Sequence, residues 1–306
     1  MYIKPVYKML MSFEEFIEEM TKKIPGCMEE YNIKSIHAKK IFKNNGVVCT
    51  GLAICIEGEN VAPNIYMEYF YNEYKAGLSM EEIMALFCNE YKEARNHMAY
   101  DCLDINMDNL PKHLFMKLVN YEKNKEILKN CPHIKFLDLA ITFRFLVRQD
   151  KEGTASAMIS NEDMEEFKIT TGELYSLAEK SNRIVFPPKL MPMEEAIKEL
   201  APGEDTVPCK EVYVLTNSQG VNGAVYMTYV DIIGAYADRI EKNLYILPSS
   251  IHEVLLLPDE GDIDEEQLGE MVRDINEYVV GNIDFLSDSI YYYDRITGNM
   301  SVKKKG

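Results

Sequence analysis

The densest group of chemistry-bearing residues in the chain is Pro248-Ser249-Ser250-Ile251-His252-Glu253-Val254, set between two strand-like apolar runs. Serine, histidine and a carboxylate are the residue types of an acyl-transfer site, where a base takes the proton of a hydroxyl nucleophile and a third group orients the base. In an extended chain Ser250 and His252 point to one face, and Ser249 and Glu253 to the other. The candidate catalytic set is therefore Ser249, Ser250, His252 and Glu253. Either serine would be the nucleophile and His252 the base, supported by Glu253 or by a remote carboxylate such as Asp138. Against this, neighbours along one strand rarely reach each other in the geometry a triad needs, and no G-x-S-x-G elbow occurs. The competing reading is a tight turn in which the serines, His252 and Glu253 satisfy nearby backbone groups.

Other constellations are thinner. Asp104, Asn106 and Asp108 imitate the start of a calcium loop, but the twelfth position is Phe115 and Pro111 interrupts the pattern. Cys131 and His133 flank Pro132, yet a zinc site needs three or four ligands and no second pair stands at motif spacing. Neither G-x-x-x-x-G-K-[ST] nor G-x-G-x-x-G is present, and the glycines of Asn217–Gly223 join strands, so no cofactor is expected. Tyr66, Tyr69, Phe70, Tyr71 and Tyr74 cover most of a helix circumference, which suits either a groove or interface, or packing between helix and sheet. Tyr291, Tyr292 and Tyr293 read as edge-strand residues.

Composition narrows the classes of function. The 306 residues carry a formal net charge of −17, a field that repels phosphate backbones and anionic membranes. Local basic patches stand at Lys34, Lys39, Lys40 and Lys43, which read as the solvated face of a hairpin, and at Lys303–Lys305, which read as a frayed tail; a nucleic-acid adaptor using the Lys34–Lys43 hairpin is a distant third reading. Seven cysteines, odd in number and without a C-x-x-C pair, fit reduced thiols in a cytoplasm. Met1–Met11 lacks the apolar run and cleavage site of a signal peptide, and no stretch is long enough to span a bilayer.

The positioning elements are legible from caps and periodicity. Ser12 and Glu15, then Ser79 and Glu82, make capping boxes before amphipathic runs. Asn44-Asn45-Gly46 turns a hairpin within Ile33–Ile56. Helices are expected after Pro63, over 114–128, over 171–180, after Thr228 and over 265–278. Further hairpins are expected over 136–160, with strands 211–216 and 223–228, across the Pro-Ser-Ser turn, and over 289–302. The fold class is α+β, antiparallel hairpins with helices packed on one face, and the hairpin-then-helix order after Leu137 and again after Glu211 suggests a structural duplication. Prolines 187, 188 and 192 and the loop-like 201–208 place a linker at 186–209, between an N-terminal region, 12–185, and a C-terminal region, 210–306.

The segments Val214–Asn217, Asn222–Ala224 and Tyr245–Val254 (YILPSSIHEV) resemble the C-terminal hallmark of an uncharacterised domain-of-unknown-function family from gut anaerobic firmicutes. Pro63–Tyr66, Val119–Asn124 and Phe136–Ala140 are similar to it as well, so the likeness runs from about Ser12 to about Asp294. The resemblance implies a cytoplasmic bacterial context, with genes borne on mobile elements, and no activity. Two readings stay open. The first is a non-enzymatic interaction or regulatory scaffold that binds a protein partner or its own copy; the second is a hydrolase or transferase built on Ser249, Ser250, His252 and Glu253.

Overall fold

Ser12 accepts a hydrogen bond from the Glu15 N–H, and the Glu15 carboxylate accepts one from the Ser12 N–H at 2.8 Å. That reciprocal cap starts α1 (Phe13–Cys27), which buries Phe16, Met20 and Ile24. In this computed structural model the described residues are 10–58, 62–98, 105–150, 153–200 and 212–304. They fall into two units, Met1–Lys43 with Val47–Cys102, and Asn44–Gly46 with Leu103–Gly306. This partition lies far from the proline-rich 186–209 stretch that the sequence suggested as the boundary.

In the first unit, β1 (Ile33–Phe42) and β2 (Val48–Ile56) form the expected antiparallel hairpin; Asn45 and Gly46, in the turn that joins them, have positive φ. β3 (Asn64–Tyr66) adds to β2 and runs into α2 (Met67–Ala76), which ends at Gly77 with φ 116°. Ser79 and Glu82 then cap α3 (Met80–Met98). Of the tyrosine-rich cluster, Phe70 and Tyr74 are buried and Tyr71 packs 5.1 Å from Phe13, so these three serve the core. Only Tyr66 and Tyr69 are exposed. Lys34, Lys39 and Lys40 stand in solvent, while the Lys43 ammonium caps Tyr66.

The second unit begins with α4 (Leu110–His113), β4 (Leu114–Asn120), α5 (Lys125–Leu128), β5 (His133–Phe136), β6 (Leu139–Asp150) and β7 (Gly153–Met158). β6 pairs with β4 on one side, and with β5 and β7 in succession on the other. α6 (Asn161–Phe167) and α7 (Thr171–Val185) follow, each opened by a capping box. Next come β8 (Pro188–Pro192), α8 (Met193–Leu200), β9 (Tyr213–Asn217), α9 (Val230–Ile240), β10 (Leu244–Pro248), β11 (Val254–Pro258), α10 (Glu265–Tyr278), β12 (Ile290–Asp294) and β13 (Asn299–Lys304). The strands from β8 onward form one antiparallel sheet in the order β13-β12-β10-β11-β9-β8.

The α+β class with antiparallel sheets therefore holds, with several corrections in detail. The expected helix at 114–128 is the strand β4 followed by short turns. Residues 223–228 form a 3₁₀ turn rather than a returning strand, so β9 pairs with β8 and β11 and the hairpin-helix duplication loses its second hairpin. The proline-rich stretch supplies a sheet strand, with Pro188 and Pro192 at the ends of β8, which lies at the sheet edge where a missing N–H is tolerated. Tyr291 and Tyr293 are buried on β12, inside the sheet, and β13 forms that edge. Helices also cover both faces of the six-stranded sheet. Leu244, Ile246, Val254 and Leu256 pack toward α9, while Tyr245 and Leu247 pack with Leu268 and Val272 of α10. The loop expected over 201–208, together with Asp104, Cys102, Cys209 and Lys305, lies outside the described residues.

Candidate functional site

Residues 249–253 are the connection between β10 and β11, whose register runs from Leu244↔Pro258 to Pro248↔Val254. The four candidate residues are half-buried and close together, yet their bonds are those of a turn. Ser250 Oγ accepts from the His252 backbone N–H (3.0 Å), and the Ser250 N–H donates to the Glu253 carbonyl (3.3 Å). Ser249 Oγ faces Glu253 Oε1 at 3.4 Å.

The His252 ring is engaged on both sides. Its Nδ1 lies 3.2 Å from the backbone N–H of Asn222, which can only donate, so Nδ1 is the acceptor and the ring proton sits on Nε2. Nε2–H then donates to Asp284 Oδ1 at 3.1 Å. Neither serine hydroxyl is hydrogen-bonded to the imidazole, and the nitrogen that would take a hydroxyl proton is already occupied. Backbone bonds lock the same spot: the Thr216 hydroxyl donates to the His252 carbonyl (2.8 Å), and the Ile251 N–H donates to the Asp284 carbonyl (2.8 Å). His252→Ala should therefore cost about 1–2 kcal/mol, two modest hydrogen bonds at a partly exposed ring, measured as a shift in the urea midpoint. A variant unchanged in stability would contradict this clamp.

Asp138 is not the support for His252 either. It sits in the two-residue turn between β5 and β6, where Leu137 has φ 55°, and accepts three hydroxyl hydrogen bonds. Ser287 and Ser289 donate to Oδ2 at 3.0 and 2.9 Å, and Tyr291 donates to Oδ1 at 2.8 Å. Burial, reinforced by the neighbouring carboxylate, pushes the Tyr291 phenol well above its ordinary pKa, so it stays a donor. This cluster floors a cleft of about 300 Å³ rimmed by Glu122, Lys123 and Phe285, with the Lys123 ammonium 3.6 Å from the Phe285 ring centre.

The other candidates resolve into structure. Asn106 Oδ1 accepts from the N–H groups of Asp108 and Asn109, an Asx turn that leads into α4, and Phe115 is buried on β4. Cys131 is buried, which raises its thiol to about 11, and His133 Nδ1 turns to the Cys131 carbonyl. Among the described residues no group of three or more His, Cys, Asp and Glu side chains is placed to hold a metal ion. No helix among them is long and apolar enough to cross a membrane.

A family described as being of unknown function, DUF5688, matches residues 13–295. The chain belongs to that family. No curated protein and no solved structure matches it. The DUF5688 match takes in parts of both units, with Ser249–Glu253, Asn222, Asp284 and the Asp138 cluster, and it carries no activity with it.

One surface escaped the sequence reading. α10 was expected, but its outer face carries a second apolar stripe: Met271 (43% exposed), Ile275 (38%) and Tyr278 (79%), continued by Val279 (77%). The signal was present as apolar residues at i, i+4, i+7 and i+8, offset from the buried Leu268 and Val272. Between this helix and the β10–β11 hairpin lies a cavity of about 30 Å³, lined by Leu247, Ser249, Leu255, Met271, Ile275 and Asn276. Asn276 is buried; its Nδ2 donates to the Ser287 carbonyl and to Asp288, while its Oδ1 has no protein partner.

Proposed function

We propose that this DUF5688 chain is a non-enzymatic interaction scaffold whose α10 face docks a basic, amphipathic segment of a partner protein. The observation that carries the reading is the exposed stripe of Met271, Ile275, Tyr278 and Val279. Solvated surfaces rarely leave four large apolar side chains contiguous without a use. Glu270, Asp274 and Glu277 stand exposed around it, and Arg273 is the helix's one basic residue, so the complementary surface is apolar with a cationic rim. The cavity beside Asn276 adds a point of specificity: it has room for roughly a methyl group, next to an acceptor that lacks a donor. The double engagement of His252 weighs against the hydrolase or transferase reading of Ser249, Ser250, His252 and Glu253. A bacterial cytoplasmic setting belongs to the same reading, supported by the free thiols of Cys27, Cys49, Cys55, Cys88 and Cys131.

The test uses defined peptides. A labelled amphipathic helix of leucine and lysine is titrated with the protein by fluorescence anisotropy, beside its leucine-glutamate counterpart. The basic peptide should bind, should weaken as salt rises, and should lose at least about tenfold in affinity to an Ile275→Asp/Tyr278→Asp variant. Equal binding of both peptides, or no effect of the double substitution, would sink the proposal. A concentration-dependent dimer abolished by the same substitutions would assign the face to a second copy instead.

A further inference from the structure

A groove of about 540 Å³ in the first unit gathers four sulfur-bearing side chains: Cys27 at the end of α1, and Met80, Met84 and Cys88 of α3. Cys27 is exposed and Cys88 half-buried, and the Cys88 Sγ lies 3.9 Å from the Cys27 carbonyl. Cys27 and Cys88 reach the open side of the groove, while Met84, 4% exposed, forms its floor. Its remaining lining includes Lys23 and Glu81 but no imidazole, which leaves a donor set dominated by soft sulfur.

Helix geometry limits which sulfurs can share one ion. Met80, Met84 and Cys88 are spaced i, i+4, i+8 on one face, about 6 Å of rise apart, so Met80 stands some 12 Å along the axis from Cys88. Met84 and Cys88 are near neighbours on that face, and Cys27 approaches them from α1. We propose that Cys27, Cys88 and Met84 form a three-sulfur site for a soft monovalent d¹⁰ cation, Cu(I) or its laboratory stand-in Ag(I), with Met80 at the groove mouth. Two thiolates and a thioether suit such an ion in trigonal coordination, whereas Zn²⁺ would require a fourth ligand that the groove does not gather.

Binding forms two metal–thiolate bonds and one metal–thioether bond and releases two protons to solvent, with no change of oxidation state. The site then carries one negative charge; Lys23 lines the same groove, with its ammonium 3.4 Å from Glu19 Oε1. Burial, aided by the adjacent Cys27 thiol, holds the Cys88 thiol above its ordinary pKa.

The experiment is an anaerobic titration of the reduced full-length protein with Cu(I) against a colorimetric chelator, repeated with Ag(I). One tight equivalent is expected, with only sulfur in the first coordination shell by X-ray absorption. Cys27→Ser and Cys88→Ser should each weaken it by ~100-fold or more, and Met84→Leu by about tenfold. Met84→Leu conserves volume and keeps the core, so its effect reads coordination rather than folding. Cys49→Ser, at a thiol outside the groove, should change nothing. A Cys27→Ser/Cys88→Ser variant that retains the tight equivalent, equal weakening by Cys49→Ser, oxygen or nitrogen ligands in the first shell, or formation of a Cys27–Cys88 disulfide with no metal bound would each overturn the proposal.

Discussion

Asp138→Ala is expected to destabilise the second unit by about 4 kcal/mol, among the largest effects of any single substitution in the chain. The carboxylate is the common acceptor for Ser287, Ser289 and Tyr291, whose residues are 2%, 4% and 0% exposed. Alanine removes all three acceptor sites at once: the fully buried Tyr291 phenol loses its acceptor, at roughly 1–3 kcal/mol, and the two serine hydroxyls at the floor of the cleft lose their charged one. Tyr291→Phe should cost only about 1 kcal/mol, because the carboxylate keeps two hydroxyl donors. In Asp138→Ala/Tyr291→Phe the second change should be nearly free, since the orphaned phenol is gone, and the cycle should show a coupling of about 1 kcal/mol. The check is urea unfolding followed by tyrosine fluorescence, with the midpoint shifting at constant slope. An Asp138→Ala protein within 1 kcal/mol of its parent would show that the three hydroxyls find other acceptors.

That cluster could not be read from the chain, because Asp138 stands 149 to 153 residues from its three donors. What could be read was local. The capping boxes at Ser12 and Ser79 and the Asn-Asn-Gly turn declare themselves within four residues, since the bonds that define them close over that span. Leu114–Asn120 failed for the opposite reason. Leu114, Phe115, Met116, Leu118 and Val119 are buried on both faces of β4, so the two-residue alternation vanishes and the run looks as helical as it does extended. The triad-like segment misled in a related way. Ser249, Ser250, His252 and Glu253 are the right residue types, but their roles depend on Asn222 and Asp284, thirty-odd positions away on either side. The α10 stripe was visible as periodicity, yet which of two apolar stripes faces the sheet is decided by packing against Tyr245 and Leu247.

Gly223→Ala tests how tightly that segment is held. A Cβ on Gly223 would lie 2.5 Å from Thr216 Oγ1, 2.6 Å from the His252 carbonyl oxygen and 2.8 Å from the Asn217 backbone nitrogen. The threonine could rotate, at the cost of its own bond to the His252 carbonyl, but the other two atoms are backbone of β9 and of the β10–β11 connection. One methyl group must therefore push the two chains apart or move the loop, a cost of about 3 kcal/mol or more. Gly220→Ala is the matched control. Gly220 has φ 64° and open space around it, so it should lose only about 1 kcal/mol through backbone strain. The two variants separate a steric lock from a merely conformational one. If both cost the same small amount, the connection yields easily, the Asn222 N–H can leave His252 Nδ1, and the ring regains the freedom a general base requires. If Gly223→Ala is far worse, Ser249–Glu253 is held by the sheet on one side and by the Asn217–Gly223 loop on the other. The fold alone then accounts for these residue types at these positions.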